Sequence, residues 1–133
     1  MARTVGQMVA EATAAVPAVK AQEVQRRMQE DPNTLVIDVR DSAQALVASI
    51  PGTINISYGD LLFAADNEVP EEWRDPRLQD RSRPIITHCV LGPLGAIAAK
   101  TLQDMGFTNV SFMEGGIEAW KAAGLRIEQL QNN

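Results

Sequence analysis

The sequence predicts an α/β fold with a largely parallel central sheet, and three observations carry that expectation. The short, continuous apolar run Leu35-Val36-Ile37 suits a strand buried on both faces, as parallel sheets require, and Ile85-Ile86-Thr87-His88 and Val110-Ser111-Phe112-Met113 are of strand length. Segments with apolar residues at i, i+3 and i+4 separate those runs. Glycine and proline punctuate the boundaries, so strands and helices alternate along the chain.

The elements follow in order. Val5, Met8, Val9, Ala12, Ala15 and Val16 form a helical stripe that Thr4 can cap and Pro17 ends. A second helix spans 21–30, with Val24, Arg27 and Met28 on one side, and Asp31-Pro32 stops it. Residues 34–39 form a strand and 42–48 a brief helix. Pro51-Gly52 is a turn, 53–57 a short strand and 58–65 a short helix. From 66 to 83 the chain is charged and proline-punctuated. This reads as a long surface connection with a helical turn at 71–73, either a lid or, the simpler reading, a solvated loop anchored by Trp73. Residues 85–88 are a buried strand and 89–93 a tight loop. Leu94, Ile97, Ala98, Leu102 and Met105 stripe a helix closed by Gly106. Residues 110–113 are a strand, and Gly115-Gly116 turns into a last helix carrying Ile117 and Trp120, ended by Gly124.

Composition narrows the function. The 133 residues make one domain, and with 45% hydrophobic residues they can bury a core without disulfides or a structural metal. A net charge of −5 with no basic run argues against nucleic-acid binding. No apolar stretch approaches the roughly 20 residues that span a bilayer, and no apolar segment follows Arg3 as in a signal peptide. The chain has one cysteine, Cys89, and one histidine, His88. A lone thiol forms no internal disulfide, and with one histidine it cannot complete a four-ligand zinc site, so no metal or other cofactor is expected. A reducing, cytoplasmic setting is the expectation.

Cys89 sits where a buried strand gives way to a glycine-containing loop and a helix. Helix N-termini carry partial positive charge, and free loop N–H groups form anion-binding nests. A thiol there is set up as a nucleophile, and ligand sites of open α/β sheets lie at the carboxyl ends of strands. The alternative is an inert packed cysteine, common for this residue type. Strand alternation sends His88 to the opposite face, into the packing. Asp38 and Arg40 share strand parity at another strand end, either facing the site or forming a structural ion pair.

Three blocks together resemble the rhodanese-like family. Leu35-Val36-Ile37-Asp38-Val39-Arg40-Asp41 with Ser49-Ile50-Pro51-Gly52-Thr53-Ile54-Asn55-Ile56 is similar to its first signature. Pro84-Ile85-Ile86-Thr87-His88-Cys89, the loop to Gly95, and Ala98, Ala99 and Leu102 resemble its active-site half. Val110 through Met113, Glu114-Gly115-Gly116-Ile117, Trp120 and Gly124 resemble its closing signature. The resemblance implies a single rhodanese-like domain over 18–128, a mostly parallel sheet with helices on both faces. Residues 1–17 are then an extra N-terminal helical extension, which can dock on its own domain or on a second subunit as a homodimer, and 129–133 a tail.

The resemblance implies a sulfurtransferase. Cys89 would take sulfane sulfur from a small donor or a protein persulfide, hold it as a persulfide, and pass it to a thiophilic acceptor: a small thiol, cyanide or a protein. Val90, Leu91, Gly92, Pro93, Leu94 and Gly95 would form the anion-binding loop, with Asp38 and Arg40 as the supporting Asp-x-Arg element. Many members active on thiosulfate carry arginine where this chain has Leu94, so poor use of thiosulfate is expected. Gly95 stands where serine or alanine is common, Ser49 where the family often has histidine, and Gln44 where it often has glutamate. Cysteine phosphatases of similar fold need arginine at the place of Gly95, which argues against phosphate-ester hydrolysis. The missing loop cation leaves a second reading, a catalytically weak binding, regulatory or redox-sensing module. Without a second cysteine, sulfur loaded on Cys89 must leave to another molecule.

Overall fold

The computed structural model describes residues 2–130, so 131–133 of the expected tail lie outside the described residues. Helix α1 (Val5–Ala15) precedes strand β1 (Ala18–Val19), α2 (Ala21–Glu30), β2 (Leu35–Asp38), α3 (Ser42–Val47), β3 (Ile54–Asn55) and α4 (Tyr58–Ala65). After two 3-10 turns (Glu71–Trp73 and Pro76–Leu78) come β4 (Ile85–His88), α5 (Pro93–Asp104), β5 (Val110–Met113) and α6 (Gly116–Ala122). The five strands pair in parallel, in the order β1-β5-β4-β2-β3. Strand β1 is absent from the sequence reading, because two residues are too few for any periodicity to register.

Local chemistry explains the element ends. Thr4 and Gln7 close a capping box at the start of α1, with Gln7 N–H donating to Thr4 Oγ1 at 3.1 Å and Thr4 N–H donating to Gln7 Oε1 at 2.8 Å. Pro93 occupies the first turn of α5, where its missing N–H costs nothing.

The sheet separates two cores. Leu35, Ile37, Ile85, Val110 and Phe112 face α1, α4 and α5, where Ala12, Leu61 and Leu102 are fully buried. Val36, Ile86 and Met113 face α2 and α6, where Val24, Ile117 and Trp120 pack. Alternate residues of β2, β4 and β5 thus serve opposite layers, which is why these three strands are buried throughout. Helix α1 docks on its own domain: Ala12 and Val16 enter the first core, and Gln103 Nε2 donates to Ala15 O at 3.1 Å.

Crossovers running one way along the sheet, β3 to β4 and β4 to β5, pass over the first face through α4 and α5. The β1-to-β2 crossover runs the other way and passes over the second face through α2. One crossover handedness throughout demands this division. The direction of travel reverses between β2 and β4, so their carboxyl ends flank a crevice. Among the described residues no helix is long and apolar enough to cross a membrane.

The 66–83 connection corrects the sequence reading. Trp73 does not anchor it: the ring is 56% exposed, touching Phe63 edge-on with centroids 6.1 Å apart. Leu78 is the anchor, fully buried in the first core. Backbone bonds from Asp75 N–H to Ala64 O and from Thr108 N–H to Arg81 O, both 2.9 Å, lace the segment to its neighbours. Truncating Leu78 to alanine should therefore cost about 2–5 kcal/mol, whereas Trp73→Ala should cost under about 1 kcal/mol. Urea unfolding of the two variants against wild type checks this ordering, and equal losses would contradict it.

Candidate functional site

The carboxyl ends of β2 and β4 are held together by a buried polar knot. The Arg40 guanidinium donates to the Asp38 carboxylate, Nε to Oδ1 at 2.9 Å and to Oδ2 at 3.1 Å and Nη2 to Oδ2 at 2.8 Å, and Nη2 also donates to Ala48 O at 2.6 Å. The Arg40 N–H donates to Asp38 Oδ1 at 3.0 Å. Asn55 Nδ2 reaches across from β3 to the carbonyls of Asp38 and Arg40, at 3.0 and 2.9 Å. Both charges are buried, so each depends on the other for compensation. Their shared parity does not bring both to the cleft. Arg40 lines it, while Asp38 lies beneath, paired in register with His88.

Cys89 follows β4 and is 4% exposed. Its Sγ accepts the Gly92 N–H at 3.2 Å. Gly92 caps α5 with φ at +120°, a conformation that a side chain would strain, and a Cβ there would meet Gly115 N at 3.3 Å. A cleft of about 310 Å³ opens over the sulfur, walled by Val90, Leu91, Pro93 and Leu94 on the loop side and by Arg40, Asp41 and Gln44 on the other. Leu91 is 65% exposed and forms an apolar lip. Leu94 is half-buried, packing on the first core and lining the cleft at once. Gly92 and Gly95 lie behind the wall.

The loop's dipoles are set from outside it. Ile117 N–H donates to Cys89 O at 2.8 Å, and Glu118 N–H donates to Val90 O at 3.1 Å. In a trans peptide the C=O and N–H point opposite ways, and no cis peptide bond occurs among the described residues. Pulling these two carbonyls toward α6 therefore turns the N–H groups of Val90 and Leu91 away from it. Among the described residues neither N–H meets a protein acceptor. Unpaired amides of this kind, with the orphan first-turn N–H groups of a helix, are the groups from which anion-binding nests are built. Gly116 permits the approach: a Cβ there would stand 2.4 Å from Val90 O and 2.5 Å from Cys89 O.

These contributions from Gly116, Ile117 and Glu118 are missing from the sequence reading. The doubled glycine at the start of α6 is the signal, because a helix start does not need two. Gly95 has a similar cause: α5 crosses β4 so closely that a Cβ would meet His88 Cα at 3.1 Å and Cys89 N at 3.3 Å. Ser49 does not reach the cleft; its hydroxyl donates to Ala45 O, and its backbone pairs with Glu128.

His88 points into the α2/α6 layer, away from Cys89 Sγ. Its Nδ1 lies 3.3 Å from Cys89 O, and its Nε2 is buried without a partner. Burial pushes the imidazole pKa below its usual value, outweighing the opposing pull of Asp38. The folded protein thus favours neutral His88.

Comparisons with known proteins bear on the family and the fold. A family model described as Rhodanese-like domain matches residues 20–123. A thiosulfate:glutathione sulfurtransferase of Saccharomyces cerevisiae is 29% identical over 71% of this chain and 69% of its own length. An adenylyltransferase and sulfurtransferase of Meyerozyma guilliermondii, UBA4, is 34% identical over 65% of this chain, a match spanning only 20% of that protein. Among solved structures, a Rhodopseudomonas palustris protein of unknown function, described as a possible tyrosine phosphatase, superposes with a TM-score of 0.87 at 29% identity, covering 96% of both chains.

His88 is the only histidine. Because its pKa is lower in the fold, the unfolded chain binds its proton more readily once pH falls below about 6.5. The stability due to neutral His88 is full above that value and is lost as pH falls toward the folded pKa. Thermal unfolding from pH 7.5 to 5 should show a decline that His88→Leu flattens; parallel curves would contradict the assignment.

Proposed function

Because the chain belongs to the rhodanese-like domain family, we propose that it is a sulfurtransferase carrying sulfane sulfur as a persulfide on Cys89. The observation that carries the proposal is Cys89 Sγ seated at the start of α5, where it accepts the Gly92 N–H at 3.2 Å, in a loop whose Val90 and Leu91 amides are turned away from α6 and unpaired within the protein. Fixed dipoles aimed at one sulfur stabilise the thiolate before reaction and the anionic persulfide after it. The thiolate attacks the donor's sulfane sulfur. The new Cys89–S bond forms as the donor's bond to that sulfur breaks, and the leaving group departs with the electron pair. An acceptor nucleophile then attacks the outer sulfur and restores the thiolate. Val90 through Gly95 form the loop, and Asp38 with Arg40 braces its floor.

The donor follows from the walls. The loop side of the cleft is apolar, and two of Arg40's nitrogens are already committed to Asp38 and Ala48. A dianion such as thiosulfate lacks the charge-assisted contact that an arginine at position 94 supplies, worth about 1.5–3 kcal/mol or one to two orders of magnitude. An organic sulfur donor or a protein persulfide suits the cleft better, and a reducing, cytoplasmic setting suits a lone nucleophilic thiol. Phosphate-ester hydrolysis is disfavoured, because position 95 faces the β4 backbone and has no room for an arginine.

Incubating the protein with thiosulfate, mercaptopyruvate or a persulfide donor, then weighing it intact, should show a gain of one sulfur that Cys89→Ser abolishes. No adduct from any donor would overturn the proposal in favour of a binding or redox-sensing module. In a cyanide-acceptor assay, Leu94→Arg should raise kcat/KM for thiosulfate about 10- to 100-fold. An unchanged value would show that the loop cation does not limit thiosulfate use.

A further inference from the structure

Thr87 sits on the apolar side of β4. Strand alternation gives it the parity of Ile85 and Cys89, and it lies in register between Ile37 and Phe112 of the first core. It is fully buried. The other buried polar residues of β2, β4 and β5, which are Asp38, His88 and Ser111, share the parity of Val36, Ile86 and Met113 and belong to the opposite layer. Among the described residues Thr87 is thus the one buried polar side chain that these strands turn toward α5. Valine has nearly the same shape and would fill the place with no hydroxyl to compensate.

That hydroxyl has a partner with consequences for the sulfur. Thr87 Oγ1 donates to Gly95 O at 2.6 Å. Gly95 lies in the first turn of α5, where a helix carbonyl accepts the N–H four residues on, so the helix does not need this second donor. The bond instead sets how closely α5 lies on β4. Gly95 permits the approach, since a Cβ there would stand 3.1 Å from His88 Cα. The same turn contains Gly92, whose carbonyl accepts the Ala96 N–H at 2.9 Å. Gly92 gives its own N–H to Cys89 Sγ at 3.2 Å. A continuous set of contacts therefore runs from the Thr87 hydroxyl through one helical turn to the sulfur.

We infer that Thr87 is a positioning residue for Cys89: its hydroxyl holds the first turn of α5 against β4 and so keeps the Gly92 N–H on Sγ. A hydrogen bond to an ionised acceptor weakens as the donor withdraws, and the field of a helix end is confined to its first turn. Without the tie the turn relaxes away from β4, and the thiolate loses part of its stabilisation. The inference deepens the persulfide reading, on which its bearing on turnover rests, but alkylation of the thiol tests it without any sulfur donor.

Cys89 is the only cysteine, so its reaction with iodoacetamide can be followed on the whole protein. The rate rises with pH as thiolate forms. Thr87→Val should move the midpoint of that rise upward by about half to one pH unit, a loss of roughly 3- to 10-fold in rate on its low-pH side. The high-pH plateau should stay within about twofold of wild type, because a fully ionised thiol no longer needs the amide to ionise. Thr87→Ala should shift the midpoint as far, whereas Thr87→Ser, which keeps the hydroxyl, should stay within about 0.2 unit of wild type. A role in packing alone predicts the other grouping, serine with alanine and valine with wild type, because side-chain volume would then decide. That grouping, or an unmoved midpoint in both the valine and alanine variants, would overturn the inference. If the midpoints shift as expected but Cys89 takes up no sulfur from any donor, the persulfide reading fails and the positioning role stands. If sulfur loads while the valine and alanine midpoints stay put, the positioning role fails and the persulfide reading stands.

Discussion

The arrangement of this molecule depends on one close crossing, where the loop after β4 meets the first turn of α6. Two hydrogen bonds, from Ile117 N–H to Cys89 O and from Glu118 N–H to Val90 O, occupy the loop's carbonyls. Peptide planarity converts that capture into a direction for the N–H groups on the other side. A tight strand-to-helix loop places some amides near its sulfur, but only fixed carbonyls keep those amides from rotating away. Preorganisation of this kind stabilises charge without a reorganisation cost during reaction. Glycine at position 116 is the condition for it, since any Cβ would collide with the two carbonyls that must be held.

The second constraint is the Asp38–Arg40 pair. Burial makes the pair expensive to break, and its hydrogen bonds to Ala48 O and from Asn55 join β2, the end of α3 and β3 into one floor. It lies where the sheet changes its direction of travel, so the crevice between β2 and β4 opens above it. Arg40 is thus more a brace than a free cation. That commitment, with Leu94 on the facing wall, leaves the Cys89 cleft mainly apolar, while a larger groove beside it carries charge of both signs, from Asp41, Asp60 and Arg74. The two cavities adjoin at Asp41.

Much of the fold was legible because each element satisfies a local rule. Ile85–His88 and Val110–Met113 are runs of strand length between turn signals, and the stripe ending at Met105 has a glycine cap. The opposite placement of His88 and Cys89 follows from alternation alone. What escaped was non-local. Strand β1 exists because β5 offers it partners, and its own two residues carry no signal. Trp73 read as an anchor by its size, yet Leu78 fills the core, because the backbone bonds at Asp75 and Thr108 set which part of the connection turns inward.

By itself the sequence determined the alternation of strands and helices, the single cysteine and its place at a strand end, and the absence of a cation from its loop. These depend on residue type and neighbours, and period and composition encode them directly. Only the tertiary structure decided which way the loop amides point, that Asp38 lies beneath the cleft rather than in it, and that a larger charged groove joins the cleft at Asp41. Each of those depends on the distance between segments remote in the chain: α6 against the β4 loop, β3 against β2, and the 66–83 connection against α4. No local pattern reports such distances, because they are set by how the layers pack.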